Sequence, residues 1–328
     1  MSSPRRTTIK DIARTAGLST AAVSQALRPH PNSNIKLQAE TVERVKKVAI
    51  ELNYRPHSGA RSIRSNSFST IGYFVAKTGQ FTNTPYGYMA GVHDVAEEHE
   101  FRMALIRLPM AIDDISTAMP SVFSERNIDA LVIESYSELA YQIYERIQAS
   151  GMPVIFVNDR HETNSVYVDD EWGAVQVTRH LIDKGYQRLC FIQRRTAGGP
   201  AIEKMHHSAA DREAGYRSVM LEAGRPATCH TVFTSDVVGL DVELSQEDWD
   251  VIVAHDAVIA YDDDLAIAGF NGDYASLSAW QRLTTVKVPS YEMGRKAAEM
   301  AFELVDSGID NPLPSSVHRP TLILGQTT

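Results

Sequence analysis

"IKDIARTAGLSTAAVSQAL", Ile9 to Leu27, holds two short amphipathic stretches joined by a glycine and a serine. Apolar residues at Ile9, Ile12, Ala13 and Ala16 follow the i, i+3, i+4, i+7 spacing of one helix face. Thr8 stands where an N-cap belongs, Asp11 places a carboxylate in the first turn, and Gly17 follows where a left-handed residue closes a helix. Ser19 then caps a second helix that turns Val23, Ala26 and Leu27 inward and leaves Thr20, Ala21, Ala22, Ser24 and Gln25 pointing elsewhere. A third helix is predicted before "NYRP", with Val42, Val45, Val48, Ala49 and Leu52 inward and Arg44, Lys46 and Lys47 outward. Two helices joined by a turn as short as Gly17-Leu18-Ser19, with a third closing the core, form a helix-turn-helix, which lays its second helix in the DNA major groove. A small helical bundle used for dimerisation has the same outline. The basic surface and the short side chains that begin the second helix, which let its N-terminus approach a phosphate, favour DNA.

The charge distribution agrees. Of the 328 residues, 1–66 hold 12 Lys and Arg against 4 Asp and Glu, and the rest hold 20 against 37, so an end of net charge +8 is joined to a body of −17. One end seeks a polyanion while the body repels it, which confines the contact to the small domain. No apolar run reaches the roughly 18 residues of a membrane span. The basic start is followed by no apolar signal segment, so a cytoplasmic location is expected. Cys190, inside the apolar run "RLCFIQ", reads as a buried strand thiol, and with Cys229 far away in sequence a reducing compartment fits.

From residue 69 onward, apolar runs such as "STIGYFVA", "RMALIRL", "ALVIES", "PVIFVND", "SVYVDD", "RLCFIQ", "DVIVAH" and "LAIAGFN" alternate with amphipathic helical segments. That alternation predicts α/β architecture with parallel sheets covered on both faces, and the length suits two lobes. The expected organisation is a headpiece over 1–56, a Ser-rich hinge segment over 57–68 too short to be helical alone in water, and a two-lobed doubly wound domain over 69–328. A cleft at the strand C-termini is the default place for a small ligand. No nucleophile has an adjacent base, so no enzyme is expected. The pairs His93-Asp94, His206-His207 and His255-Asp256 and the run Asp262 to Asp264 lack ligand spacing, and neighbours on a helix point apart, so neither a metal nor a cofactor is expected.

The segments "TIKDIARTAGLSTAAVSQAL", "ETVERVKKVAIELNYRP" and "ARSIRS" resemble the N-terminal signature of the LacI/GalR family of bacterial transcription regulators. The likeness continues in "NTPYGYMAGVHDVAEEHEF", "VIFVNDR" and "VYVDDEWGAVQVTRHLIDKGYQRLCFI", shared with sugar-binding periplasmic proteins. The resemblance implies a homodimeric repressor on a pseudo-palindromic operator, controlled by a small-molecule effector, a sugar or another metabolite, in the interlobe cleft. It implies base reading by Thr20, Ala21 and Gln25, and phosphate contacts from the helix starts at Thr8 and Ser19 and from Arg55. In the hinge it implies Ile63 as a minor-groove wedge beside Arg61. Effector contacts fall on Tyr86, Arg212, His255 and Asn271, with lobe crossings near 160–165 and near 289–292. The chain departs from the family at Ile63, where Leu is common, at Asn271, where an acid is usual, and at His255, often Asn. The segment after Asp256 is also shorter than usual. The alternative is a sugar-binding protein without a DNA function.

Overall fold

A computed structural model describes residues 7–27, 34–55, 67–76, 86–108, 127–134, 147, 151–196, 206–234, 244–260, 268–271 and 283–328. The chain divides into two compact units, Met1–Asn66 and Ser67–Thr328. The hinge residues Arg61 and Ile63 lie outside the described residues.

In the first unit, α1 (Ile9–Ala16), α2 (Thr20–Leu27) and α3 (Ala39–Glu51) enclose a core of Ile12, Ala13, Ala16, Val23, Ala26, Val45, Val48 and Ala49. Both ends of α1 are specified as the sequence requires. The Asp11 carboxylate accepts from the Thr8 amide at 3.0 Å and from its hydroxyl at 2.7 Å. Gly17 closes the helix at φ 65°, ψ 36°, a left-handed conformation that costs glycine nothing. Ser19 Oγ accepts from the Ala22 amide at 3.1 Å and so starts α2. Ala22, expected to face away, is buried with Val23 and Ala26.

The second unit holds two six-stranded sheets. The first is formed by β1 (Thr70–Ala76), β2 (Arg102–Leu108), β3 (Ala130–Glu134), β4 (Val154–Val157), β5 (Ser165–Val168) and β11 (Ser316–His318), in the order β2-β1-β3-β4-β5-β11, all parallel. The second is formed by β6 (Leu189–Thr196), β7 (Thr228–Thr234), β8 (Ala257–Ala260), β9 (Ala268–Asn271), β10 (Thr284–Lys287) and β12 (Thr321–Ile323), in the order β7-β6-β8-β9-β10-β12. Only β12 runs antiparallel to its neighbour. Helices α4 (Tyr86–Glu98) and α8 (Ser290–Ser307) cover the first sheet. Helices α5 (Asp170–Asp183) and α6 (His207–Glu222) pack together on the second, and α7 (Gln246–Val253) lies before β8. Cys190 is fully buried in β6, where desolvation pushes its thiol up to about 11. Among the described residues no helix is long and apolar enough to cross a membrane.

Three sequence expectations change. The first crossing was expected near 160–165, but β5 still pairs with β4, and the chain leaves the first sheet only between Val168 and Asp170. The second falls at Val288 to Ser290, and a third, between β11 and β12, was not foreseen. "DVIVAH", expected as a strand, is the end of α7, and the strand is the next run, Ala257–Ala260. The short connection therefore lies between β8 and β9, at 261–267, outside the described residues and well under the dozen or so that usually join parallel strands.

Helix α8 follows a strand of the second sheet yet packs on the first, against α4. A Cβ on Gly91 would meet the Tyr291 carbonyl at 2.2 Å, and one on Gly294 the Tyr88 carbonyl at 2.2 Å, so the two backbones approach closer than any other residue permits. The seam is sealed by Tyr291, whose hydroxyl donates to Asp94 at 2.7 Å, and by Arg295, which clasps both carboxylate oxygens of Glu98 at 2.9 Å. Gly294→Ala should therefore destabilise the second unit by about 1–3 kcal/mol, the range for overpacking a close contact. Urea denaturation followed by far-UV circular dichroism checks this, and an unchanged midpoint would show that the helices separate at no cost.

Candidate functional site

The outward face of α2 is the first candidate. Thr20 and Ala21 are exposed and Gln25 is half-buried at its edge, while the opposite face is given to the core. Thr8 and Ser19 stand at the starts of α1 and α2, where unsatisfied backbone amides and the helix dipole favour an anion. Arg55 is exposed beyond α3, as are Arg44, Lys46 and Lys47 on it. Lys46 pairs with Glu43 at 2.9 Å and Arg14 with Asp11 at 2.8 Å, both on the surface, where such pairs hold side chains only loosely.

In the second unit the C-terminal edges of the two sheets meet where the residues after β4 touch the start of α6. Asn158, held at φ 57°, offers its carbonyl to His206 Nε2, and Arg160 pairs with Asp211 at 2.7 Å. Burial raises the Asp211 carboxyl above its ordinary value, with Arg160 opposing the shift. Arg212, expected at the effector site, is 5% exposed and donates from Nε to Asp170 Oδ1 at 2.7 Å. A neighbouring carboxylate makes such a guanidinium tolerable inside the protein and fixes the direction of its fork.

Of the other expected effector residues, Tyr86 is the exposed first residue of α4, at the sheet edge that β1 runs toward, and Asn271 is the last residue of β9, at the equivalent edge of the second sheet. His255 is elsewhere. It precedes β8, at the edge where strands begin, and its Nδ1 lies 2.7 Å from the Val251 carbonyl. Its neighbour Asp256 is bound by Arg188, just before β6, at 2.7 Å. Strand polarity thus puts His255 on the wrong side of the sheet for the cleft, and this expectation is corrected. It arose from taking "DVIVAH" as a strand.

The sequence reading also missed Asp170 and Asp159, and named His206 and His207 only to set them aside. The two histidines come together although they are adjacent, because His206 is the N-cap, at φ −55°, ψ 137°, and only His207 has entered the helix. Their ring centroids are 4.1 Å apart. Neighbouring side chains diverge along a helix but can converge across its start. Burial lowers both rings, His207 down to about 2, with Arg212 adding to the effect on both and Arg160 on His207.

Residues 8–57 match the family described as "Bacterial regulatory proteins, lacI family", residues 82–237 "Periplasmic binding proteins and sugar binding domain of LacI family", and residues 253–328 "Periplasmic binding protein-like domain". The chain is 28% identical to the HTH-type transcriptional regulator RegA of Clostridium saccharobutylicum, over 93% of this chain and 95% of that protein. Its fold is similar to a lac repressor dimer bound to operator and the anti-inducer ONPF, with TM-score 0.74 and 18% identity over 99% of both chains. It is also similar to a transcriptional regulator CelR–cellobiose complex, with TM-score 0.64 and 19% identity over 98% of this chain and all of that one.

Two outcomes follow from the buried pair and the buried rings. Arg212→Ala should cost about 3–5 kcal/mol, because the Asp170 carboxyl would be left buried without its cation, and Arg212→Met combined with Asp170→Leu should recover most of that loss in urea denaturation. Acid should also destabilise the unit. Both histidines bind protons less readily folded than unfolded, so stability is complete above the unfolded value near 6.5 and is lost as pH falls below it, by up to about 1.4 kcal/mol per histidine per pH unit. Replacing His207 with Phe should flatten the melting temperature between pH 7 and 5.

Proposed function

The chain belongs to the LacI family of bacterial transcription regulators, whose members bind DNA and are not enzymes, and from that premise we propose that it is a cytoplasmic, homodimeric repressor whose hold on a pseudo-palindromic operator is set by a small metabolite between its lobes. The observation that carries the DNA half is α2, a capped helix whose buried face is small and whose other face shows only short or hydrogen-bonding side chains at Thr20, Ala21 and Gln25. Gln25 offers an amide that can pair in bidentate fashion with adenine, Thr20 a hydroxyl and a methyl, Ala21 a methyl for thymine. Thr8, Ser19 and Arg55 would hold the phosphates and so set the register. Ile63 and Arg61 would enter the minor groove at the operator centre.

Arg212, oriented by Asp170, is the proposed anchor for the effector, with Tyr86 and Asn271 at the two sheet edges. A guanidinium presents a planar fork suited to vicinal hydroxyls or a carboxylate, and the cellobiose bound by a protein of the same fold supports a sugar. Control is then linkage: an effector that prefers one disposition of the lobes shifts the dimer toward or away from the state that lets two headpieces meet adjacent half-sites.

Titration of fluorescent operator with the full chain should show log affinity falling with log salt at about 0.9 per phosphate neutralised. An interaction indifferent to salt would contradict the proposal. Gln25→Ala should relax the preference at one operator position by roughly 1–3 kcal/mol, whereas equal weakening on every duplex would move Gln25 from the bases to the backbone.

A further inference from the structure

At the lobe junction, buried polar atoms stand close together without satisfying one another. The His207 side chain is 9% exposed and that of Asp170 1%. Among the described residues neither ring nitrogen of His207 has a hydrogen-bond partner, nor does Asp170 Oδ2. These two groups lie 3.7 Å apart, beyond hydrogen-bond reach. A buried polar atom left unpaired costs on the order of 1–3 kcal/mol, and three in one place call for a further group.

Beside them, Asp159, His206 and His207 offer ligand atoms that all lie within 4.8 Å of one another. We propose that this cluster is a site for a divalent transition-metal ion of the zinc type, held by one carboxylate from the end of the first sheet and two imidazoles from the start of α6, so that the ion ties the two lobes together. Two imidazoles and a carboxylate form a donor set that suits zinc, cobalt and nickel and leaves a fourth position for water or ligand.

The surroundings agree with that chemistry. His206 donates from Nε2 to the Asn158 carbonyl, the orienting bond that a ligating histidine usually makes through its other nitrogen, and its Nδ1 lone pair now accepts from Ser208 Oγ at 2.7 Å. An ion would displace that hydroxyl. The cations nearby are already matched, Arg212 by Asp170 and Arg160 by Asp211, while Asp159 faces His161, whose Nε2 is 3.0 Å from its Oδ2. Zinc–nitrogen bonds of about 2.0–2.1 Å put tetrahedral ligands roughly 3.4 Å apart. Ligand atoms no more than 4.8 Å apart are close to that spacing, and with Asp159 on one lobe and the histidines on the other, an ion held by all three joins the lobes at this point.

The test uses the full chain, freed of metal by chelation and titrated with Zn2+, Co2+ or Mg2+. One equivalent of zinc should bind and raise the melting temperature, cobalt should develop the visible absorption of a tetrahedral site, and magnesium should do neither. The double variant His206→Gln, His207→Gln should lose the cobalt spectrum and the thermal shift. If that variant does not fold, zinc-edge X-ray absorption on the unaltered chain decides, with two imidazoles per zinc expected. No binding, retention of the spectrum in the folded double variant, or an ion with no imidazole neighbours would each overturn the site.

Discussion

Asp170 holds a carboxylate with 1% of its side chain exposed, and a protein interior accepts such a charge only when a cation arrives with it. Arg212 is that cation, and the requirement organises the second lobe. Asp170 is the first residue of α5, immediately after the chain has crossed from the first sheet, and Arg212 is in the second turn of α6. Joining them sets the rotation of α6 about its axis and the position of its N-terminus, which carries His206 and His207. Exchanging such a pair for apolar residues is often neutral or stabilising, so its use lies in specifying one arrangement. Among the described residues Oδ2 of the same carboxylate has no hydrogen-bond partner, and it lies 3.7 Å from His207, so the pair that fixes the helices also leaves the junction chemically unfinished.

The lobes are joined by three crossings, and two of them exchange elements. After β10 the chain returns to the first sheet as α8, and after β11 it goes back to the second as β12. Each lobe therefore contains a piece delivered through the other. A change in their relative disposition has to be absorbed in the few residues of the crossings, since α8 is fixed to α4 by backbone contact too close for side chains to slide. Motion concentrated in short segments between rigid bodies is the hinge arrangement that a ligand at the junction can bias.

What the sequence discloses follows from how local each signal is. Helices α1 and α2 could be read because every cue lies within four residues of its effect: the apolar period, the Thr8–Asp11 cap, the left-handed Gly17, the Ser19 cap. Strands β1, β3, β4 and β6 could be read because burial on both faces leaves an unbroken apolar run. "DVIVAH" looked the same but ends a helix, and periodicity alone does not separate a short buried helix from a strand. The deciding cue was Ser245 with Asp248 three residues on, a capping box before the run. Strands β11 and β12 are three residues each and largely unburied, so no pattern can develop. The cluster of Asp159, His206 and His207 has no local signal: the contact between Asn158 and His206 spans 48 positions and exists only because two sheet edges meet.

The division of work within α2 shows why the headpiece is legible and the effector site is not. The core takes Ala22, Val23 and Ala26 from this helix, with Leu27 packed at its edge, and Ile12, Val23 and Val45 are each fully buried. A helix excused from most of its packing duty can carry residues chosen for another surface, and those residues lie within one short stretch of sequence and are visible as such. At the lobe junction the order is reversed. There Asp170, Arg212, His206 and His207 belong to the interior first, and whatever they recognise must be recognised with side chains already committed to holding helices together. Recognition at the headpiece is therefore open to substitution without loss of fold, whereas at the junction ligand and fold share the same charges, and binding there acts directly on the packing of the lobes.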